Sequence, residues 1–277
     1  LIRIDDVSLK FKFFRREQPS MRIRPDVEQA SLTDLGMQRE QNEDNFLYLE
    51  PEDDEDFANK GRLLLVADGM GGHKGGEVAS GIAAAALREA FLTADAEDAK
   101  TVLLRGFSEA QRQIVARGSE TDDLSGMGTT CTAVILRDGE LTFGHIGDSR
   151  LYLLRSGILT QLTEDHTLVH QLVKGGALTK DEAESFEQKN VLTAALGMRT
   201  DEVAADFSEA PLPLEPGDTL IVSSDGLHGL IGDDEIAKTA DSMTPDEACR
   251  ALLNLAIERG GPDNITVQIL RVLKVKR

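Results

Sequence analysis

Leu63-Leu64-Leu65-Val66-Ala67, introduced by Arg62, is apolar at every position, the pattern of a short strand buried on both faces rather than one. Gly75-Gly76-Glu77 then opens an alanine-rich stretch that predicts a helix through Ala79 to Phe91. Leu103, Phe107, Ala110 and Ile114 recur at three- and four-residue spacing, which places one apolar stripe on a second helix. Thr129 to Leu136, Leu141 to Ile146, Arg150 to Leu154 and Leu159 to Leu162 are short apolar or β-branched runs. They are separated by Asp138-Gly139 and Ser156-Gly157, which predicts a meander of antiparallel hairpins. Helices are predicted at His166 to Lys174 and Thr179 to Glu187, and a strand at Thr219 to Ser223. Thr244 reads as a helix cap with Pro245 at the first helical position, and Ala248, Ala251, Leu252 and Leu255 fall on one face. The alternating segment Ile265 to Val272 predicts a closing strand.

Helices in pairs flanking runs of hairpin strands favour two sheets stacked face to face and covered by helices on both outer sides. Pattern alone leaves a mixed α/β arrangement open. The first residues stand apart from this rhythm. Val7, Leu9, Phe11 and Phe13 alternate with Ser8, Lys10 and Lys12 as in a strand, and residues 15–20 read as a linker. Residues 1–20 are therefore expected to be an extension or linker, with the main domain at 21–277.

The chain is 40% hydrophobic and 29% charged, enough to bury a substantial core. Its net charge of −19 argues against nucleic acid or an anionic membrane as partner, because a polyanion is repelled rather than exchanged for counterions. A cation is the more natural ligand. The run from Glu50 to Asp56 reads as a solvated acidic loop. Cys131 and Cys249, each in an apolar pattern, are expected to be buried thiols in a reducing cytoplasm. No apolar stretch approaches the roughly 20 residues of a membrane span, and Arg3, Asp5 and Asp6 interrupt any signal-peptide core.

Several predicted strands deliver an acid beside glycine or asparagine at one end: Glu43-Asp44 after Asn42, Asp68-Gly69, Gly147-Asp148, Asp225-Gly226 and Asp263-Asn264. Each dipeptide alone is an ordinary turn. Convergent acids with glycine neighbours, which let a carbonyl approach a ligand, make an oxygen site for Mg²⁺ or Mn²⁺.

Taken in order, the segments 36–44 (Gly-Met-Gln-Arg-Glu-Gln-Asn-Glu-Asp), 67–73 (Ala-Asp-Gly-Met-Gly-Gly-His), 126–130 (Gly-Met-Gly-Thr-Thr), 144–150 (Gly-His-Ile-Gly-Asp-Ser-Arg), 224–227 (Ser-Asp-Gly-Leu) and 261–266 (Gly-Pro-Asp-Asn-Ile-Thr) resemble the metal-dependent serine/threonine protein phosphatases of the PPM or type 2C family, in its bacterial branch. The resemblance covers about Val27 to Val272. It implies an α+β fold, a four-layer αββα sandwich of two antiparallel sheets between helix pairs. By resemblance, Asp68 bridges two Mn²⁺ or Mg²⁺ ions with the Gly69 carbonyl, Glu43 serves the second ion, and Asp225 and Asp263 serve the first. Asp44 is implied as a ligand through water or an outer acceptor, Asp148 with Asp225 as the holder of a third, weaker ion, and Arg39 as the phosphate-binding cation. Two ions roughly 3.5–4 Å apart acidify a water between them and stabilise an in-line displacement at phosphorus, so no nucleophilic side chain is required. For Arg39 a surface ion pair with Glu40 or Glu43 stays open.

Met70 stands where many eukaryotic members carry a histidine, which leaves the general acid unassigned. His73 is near in sequence but is expected to be structural, as are His145 and His166. The stretch from His166 to Gly197 resembles the family's flap beside the site, and Ala194 stands where relatives often carry arginine. The implied substrates are phosphoserine and phosphothreonine proteins, including a serine/threonine kinase or its targets, acted on by a monomer. A non-catalytic phosphoprotein binder would have lost a metal acid, and none is lost here. A hydrolase of small phosphoesters or nucleotides lacks support from any glycine-lysine phosphate loop.

Overall fold

The structure, a computed structural model, describes residues 23–71, 75–95, 97–198 and 203–275. The strand and linker expected within residues 1–20, and His73, lie outside them. In chain order the strands are β1 (Val27–Asp34), β2 (Asn45–Leu49), β3 (Arg62–Ala67), β4 (Gly69–Met70), β5 (Gly128–Thr129), β6 (Cys131–Arg137), β7 (Glu140–Ile146), β8 (Arg150–Arg155), β9 (Ile158–Gln161), β10 (Asp206–Phe207), β11 (Leu212–Pro213), β12 (Thr219–Ser223) and β13 (Ile265–Val272). The helices are α1 (Asp54–Lys60), α2 (Gly75–Leu92), α3 (Ala99–Gly118), α4 (Leu168–Lys174), α5 (Lys180–Glu184), α6 (Asp225–His228), α7 (Asp233–Ser242) and α8 (Pro245–Glu258).

Among the described residues, two antiparallel sheets dominate. One runs β1-β13-β12-β8-β9; the other runs β10-β7-β6-β3-β2, with β11 also on β7. The all-apolar strand β3 shows why they stack. Leu63, Leu65 and Ala67 point one way, into a core with Leu87, Phe91, Leu103, Phe107 and Ile114 of α2 and α3. Leu64 and Val66 point the other way, onto Leu151, Leu153, Leu220, Val222 and Leu270 of the facing sheet. Ile221, Ile265, Val267 and Ile269 complete the order by packing on Ile236, Ala248, Cys249 and Leu252 of α7 and α8. Three cores between four layers give the αββα sandwich that the sequence leads one to expect.

Local signals hold at the helix ends. Thr244 and Glu247 form a reciprocal capping box with Pro245 following, and Asp98 caps α3 through the Thr101 amide at 2.9 Å. On α8 the buried stripe is Ala248, Cys249, Leu252, Leu253 and Ala256, so the predicted face is rotated: Ala251 and Leu255 are only partly covered. α5 stops at Glu184, short of the predicted end at Glu187.

Two expectations are corrected. The hairpins β6–β7 and β8–β9 are present, but they belong to different sheets, so there is no single meander. The chain crosses between sheets at Gly147, whose φ of +105° suits glycine and whose missing Cβ would stand 2.5 Å from Thr130 Cβ. The acidic run is also not a uniform solvated loop. Asp53 caps α1, while the Glu50 side chain is wholly buried and takes Arg24 Nη1 and Arg62 Nε, each at 3.2 Å, and Tyr48 Oη at 2.6 Å.

Candidate metal centre

The acids collect at one end of both sheets because antiparallel strands bring alternate termini together. Glu43 and Asp44 precede β2, Asp68 follows β3, Asp148 lies between β7 and β8, Asp225 follows β12 as the first residue of α6, and Asp263 precedes β13. Register confirms the shared end: Asn45 pairs with Ala67, Ser223 with Arg150 and Val267, and Asp34 with Ile265.

Each acid has a distinct surrounding. The Asp68 peptide is held by Thr130, whose hydroxyl accepts its N–H at 2.9 Å and whose N–H reaches its carbonyl at 2.9 Å. The Asp225 carboxyl group lies close enough to that of Asp68 for each to influence the other's ionisation. Its Oδ1 is buried with no partner. Asp44 is buried; Ser224 and Thr266 donate to its Oδ2 at 2.9 and 2.6 Å, and its Oδ1 has no partner. Asp148 is buried too, and Arg150 does not pair with it: that guanidinium binds Asp165 at 2.6 Å. Gly69 is pressed so closely between neighbours that a Cβ would lie 2.2 Å from the Gly76 carbonyl oxygen and 2.6 Å from that of Glu43. The Glu43 carboxylate, in turn, lies against the Gly76 backbone at the start of α2, where a Cβ on Gly76 would stand 2.7 Å from Glu43 Oε2.

Arg39 pairs with neither Glu40 nor Glu43. Its side chain is half-exposed, with Nη2 bonded to Asp263 Oδ2 at 2.7 Å. One organiser missed by sequence reasoning is Asn264. Its Oδ1 takes the Glu43 amide at 2.8 Å and its Nδ2 reaches the Leu35 and Gln41 carbonyls at 2.9 and 3.0 Å, which shapes the loop carrying Arg39. Its place in the motif was a signal, but a buried amide with three loop contacts needs the fold to be seen. Met70 is partly buried against Gly128, and Ala194 packs at the edge of the α2–α3 core. His145 is structural: Thr132 Oγ1 lies 2.8 Å from its Nδ1, the Glu164 carbonyl 3.0 Å from its Nε2, and burial pushes it down to about 4.

Crowded, buried carboxylates resist ionisation together. Burial, then Asp44, Asp225 and Asp148, raises Asp68 well above the carboxylate range. Burial, reinforced by Asp225 and Asp263, lifts Asp44 to about 7, while burial and Asp225 lift Asp148 to about 8. Among the described residues no three of these side chains already close on one point. Hard cations fit such a set, since Mg²⁺ keeps several waters and needs few direct carboxylates, and the unpartnered Oδ1 atoms of Asp44 and Asp225 are open acceptors.

A pH dependence follows. A carboxyl raised on folding binds its proton in the native state but not in the unfolded one, so stability is lost as pH rises through the folded value. His145 and His228, both lowered by burial, act oppositely but only below their ordinary 6.5. The melting temperature of metal-free protein should therefore fall between pH 6.5 and about 9, and Mn²⁺ should restore it most at the upper end. A flat profile in thermal melts across this range would contradict the clustering.

Comparison with known proteins accords with this geometry. Residues 49–272 match the sequence profile of protein phosphatase 2C. The serine/threonine phosphatase stp of Listeria monocytogenes is 37% identical over 243 residues, covering 86% of this chain and 93% of the relative. The solved serine/threonine phosphatase of S. agalactiae superposes with a TM-score of 0.80 at 37% identity, covering 89% of this chain and 99% of that one. A solved catalytic domain of the phosphatase PstP, in complex with two manganese ions, aligns with a TM-score of 0.76 at 35% identity over 90% of this chain and 99% of its own. With its acids gathered at one sheet end and its fold shared over nearly the whole length, the chain belongs to the protein phosphatase 2C family and is a metal-dependent serine/threonine protein phosphatase.

Proposed function

We propose that Asp68 and the Gly69 carbonyl hold two divalent cations, Mn²⁺ or Mg²⁺, with Glu43 serving one and Asp225 and Asp263 the other. Asp44 acts through water or as an outer acceptor, and Asp148 with Asp225 takes a third, weaker ion. The observation that carries this is the crowding of Asp44, Asp148, Asp225 and Asp263 around the buried Asp68, with one buried oxygen each on Asp44 and Asp225 left without a partner. When bound, the ions supply Lewis-acid stabilisation of the phosphoryl oxygens and an acidified attacking water.

The chain's own groups do the rest. Arg39 is half-exposed and tethered to the single carboxylate of Asp263. A phosphate dianion offers the guanidinium fork two oxygens, so Arg39 turns to the substrate and leaves Asp263 to face its cation. Met70, directly after Asp68-Gly69, carries no proton for the leaving oxygen. Buried, unpaired Cys131 and Cys249 support a reducing cytoplasmic setting. The charge of −19 supports phosphoproteins over nucleic acid as partners, a serine/threonine kinase or its targets among them, with the chain acting as a monomer.

The test compares turnover of phosphoserine and phosphothreonine peptides with that of a nucleoside triphosphate, after chelation and after Mn²⁺ or Mg²⁺ is restored. Peptide turnover should vanish and return with the metal; full activity after exhaustive chelation, or preference for the nucleotide, contradicts the proposal. In the same assay Arg39→Ala should lose about 1.5–3 kcal/mol of substrate binding and its inhibition by inorganic phosphate should weaken. Unchanged affinity and inhibition would remove Arg39 from the phosphate site.

A further inference from the structure

The flap, residues 166–197, is fastened at two feet, and each foot grips the peptide beside a metal-site acid. At one foot Leu196 exchanges two backbone hydrogen bonds with Thr129, each 3.0 Å. Thr129 Oγ1 in turn donates to the Asp68 carbonyl at 2.9 Å. At the other foot His166 brackets Gly147, the residue before Asp148. The His166 N–H donates to the Gly147 carbonyl at 2.8 Å, and the Gly147 N–H donates back to His166 Nδ1 at 3.2 Å. Since Nδ1 accepts, the ring proton sits on Nε2, which donates to Asp206 Oδ2 at 3.1 Å. The return limb of the flap closes on the same residues: Thr193 N–H meets the His166 carbonyl at 2.8 Å, and Leu168 N–H meets that of Val191 at 2.9 Å. From the opposite side His228 Nε2 lies 3.0 Å from the Asp148 carbonyl, and the His145 ring lies against His166 with centroids 5.0 Å apart.

Gly147 needs such a clamp. Its φ of +105° places it where the chain leaves one sheet for the other, and no ladder bond from either sheet covers its amide. The direction of the Asp148 carboxylate depends on that turn.

We propose that His166 is a positioning residue that fixes the Gly147–Asp148 turn, and with it the direction of the Asp148 carboxylate, by holding the Gly147 peptide between its own backbone and ring. The proposal rests on Asp148 being a cation ligand. Groups that orient metal ligands from behind commonly change metal affinity or activity by about 10–100-fold when removed. Asp206 belongs to the device because it selects the ring tautomer, and it is reached only by way of β10 lying beside His145 on β7.

The experiment combines Mn²⁺ calorimetry, amide hydrogen exchange and steady-state kinetics on the intact chain. His166→Ala should weaken the weakest Mn²⁺ site by about 10-fold or more, lower kcat more than it raises KM, and leave the two tighter sites intact. Exchange at Leu168 and Thr193 should quicken. His166→Asn, whose amide oxygen can still accept from Gly147, should recover most of the Mn²⁺ affinity. If His166→Ala does not fold, Asp206→Ala carries the test, because it frees the ring without touching Gly147 and should weaken the same site. A lowered melting temperature with an unchanged Mn²⁺ titration would overturn the proposal, as would His166→Asn behaving like His166→Ala. Asp148→Ala separates the two layers. If it leaves the weak site unchanged, the assignment of Asp148 fails and the clamp's role fails with it; if it removes that site while His166→Ala does not disturb it, the clamp alone is wrong.

Discussion

Asp225→Asn should abolish measurable turnover while making the metal-free protein more stable. The Asp225 carboxyl lies beside that of Asp68 and has one buried oxygen with no partner. Replacing it by a neutral amide removes the charge that draws a cation to both acids, so loss of at least about 10³-fold, or roughly 4 kcal/mol of transition-state stabilisation, is expected. The same change relieves a native state in which burial and Asp263 already oppose ionisation of Asp225. Thermal melts in chelator near pH 8 should therefore show a gain of about 1 kcal/mol, the usual opposition of stability and activity at a site built from like charges. Calorimetry with Mn²⁺ should show lost binding at the central ions. Retention of turnover with unchanged Mn²⁺ affinity would remove Asp225 from the centre. A loss of stability without chelatable metal would make it a structural residue of the first turn of α6.

The second large effect is expected at the far end of the same strands. The Glu50 carboxylate is completely buried and satisfies Tyr48, the Arg24 amide and guanidinium, and Arg62. Arg62 reaches on to Asp26 at 2.7 Å and Arg24 to Asp54 at 2.7 Å, with the two guanidiniums flanking the Phe57 ring at 4.8 and 4.0 Å. Glu50→Ala would leave two largely buried cations with only the rim acids Asp26 and Asp54 as partners. Removing one member of such a cluster costs about 3–5 kcal/mol, because the remaining charges stay desolvated without their buried counter-charge. For a domain of this size that corresponds to about 10 °C in melting temperature. The exposed Asp54 offers a contrast: Asp54→Ala should change stability by less than about 1 kcal/mol. Because Glu50 follows β2 at the end away from Asp44, kcat measured well below the melting point should be unchanged in Glu50→Ala. Lost activity without lost stability would mean that the network reaches the metal centre.

Much of this molecule is determined by its sequence alone, and the physical reasons are local. The uninterrupted apolar run of β3 requires cover on both faces. The capping box at Thr244 and Glu247 starts α8, and strands ending in acid-glycine pairs mark one sheet end as the site. These signals act over a few residues, where periodicity and turn chemistry suffice.

What the tertiary structure alone decided are pairings between residues far apart in the chain. Asp263 rather than Glu40 or Glu43 takes Arg39, Asp165 rather than Asp148 takes Arg150, and Asn264 ties the loop of Arg39 to β13. Nor could composition distinguish Glu50, buried between two arginines, from the solvated acids beside it, since Arg62 meets it only when β2 and β3 pair and Arg24 reaches it from before β1. The splitting of the predicted meander across two sheets has the same origin: a glycine turn is visible in sequence, but which sheet the next strand joins depends on which apolar faces remain uncovered. Charge and hydrogen-bond partners are settled by which groups share a desolvated space, and that space exists only once the sheets have stacked.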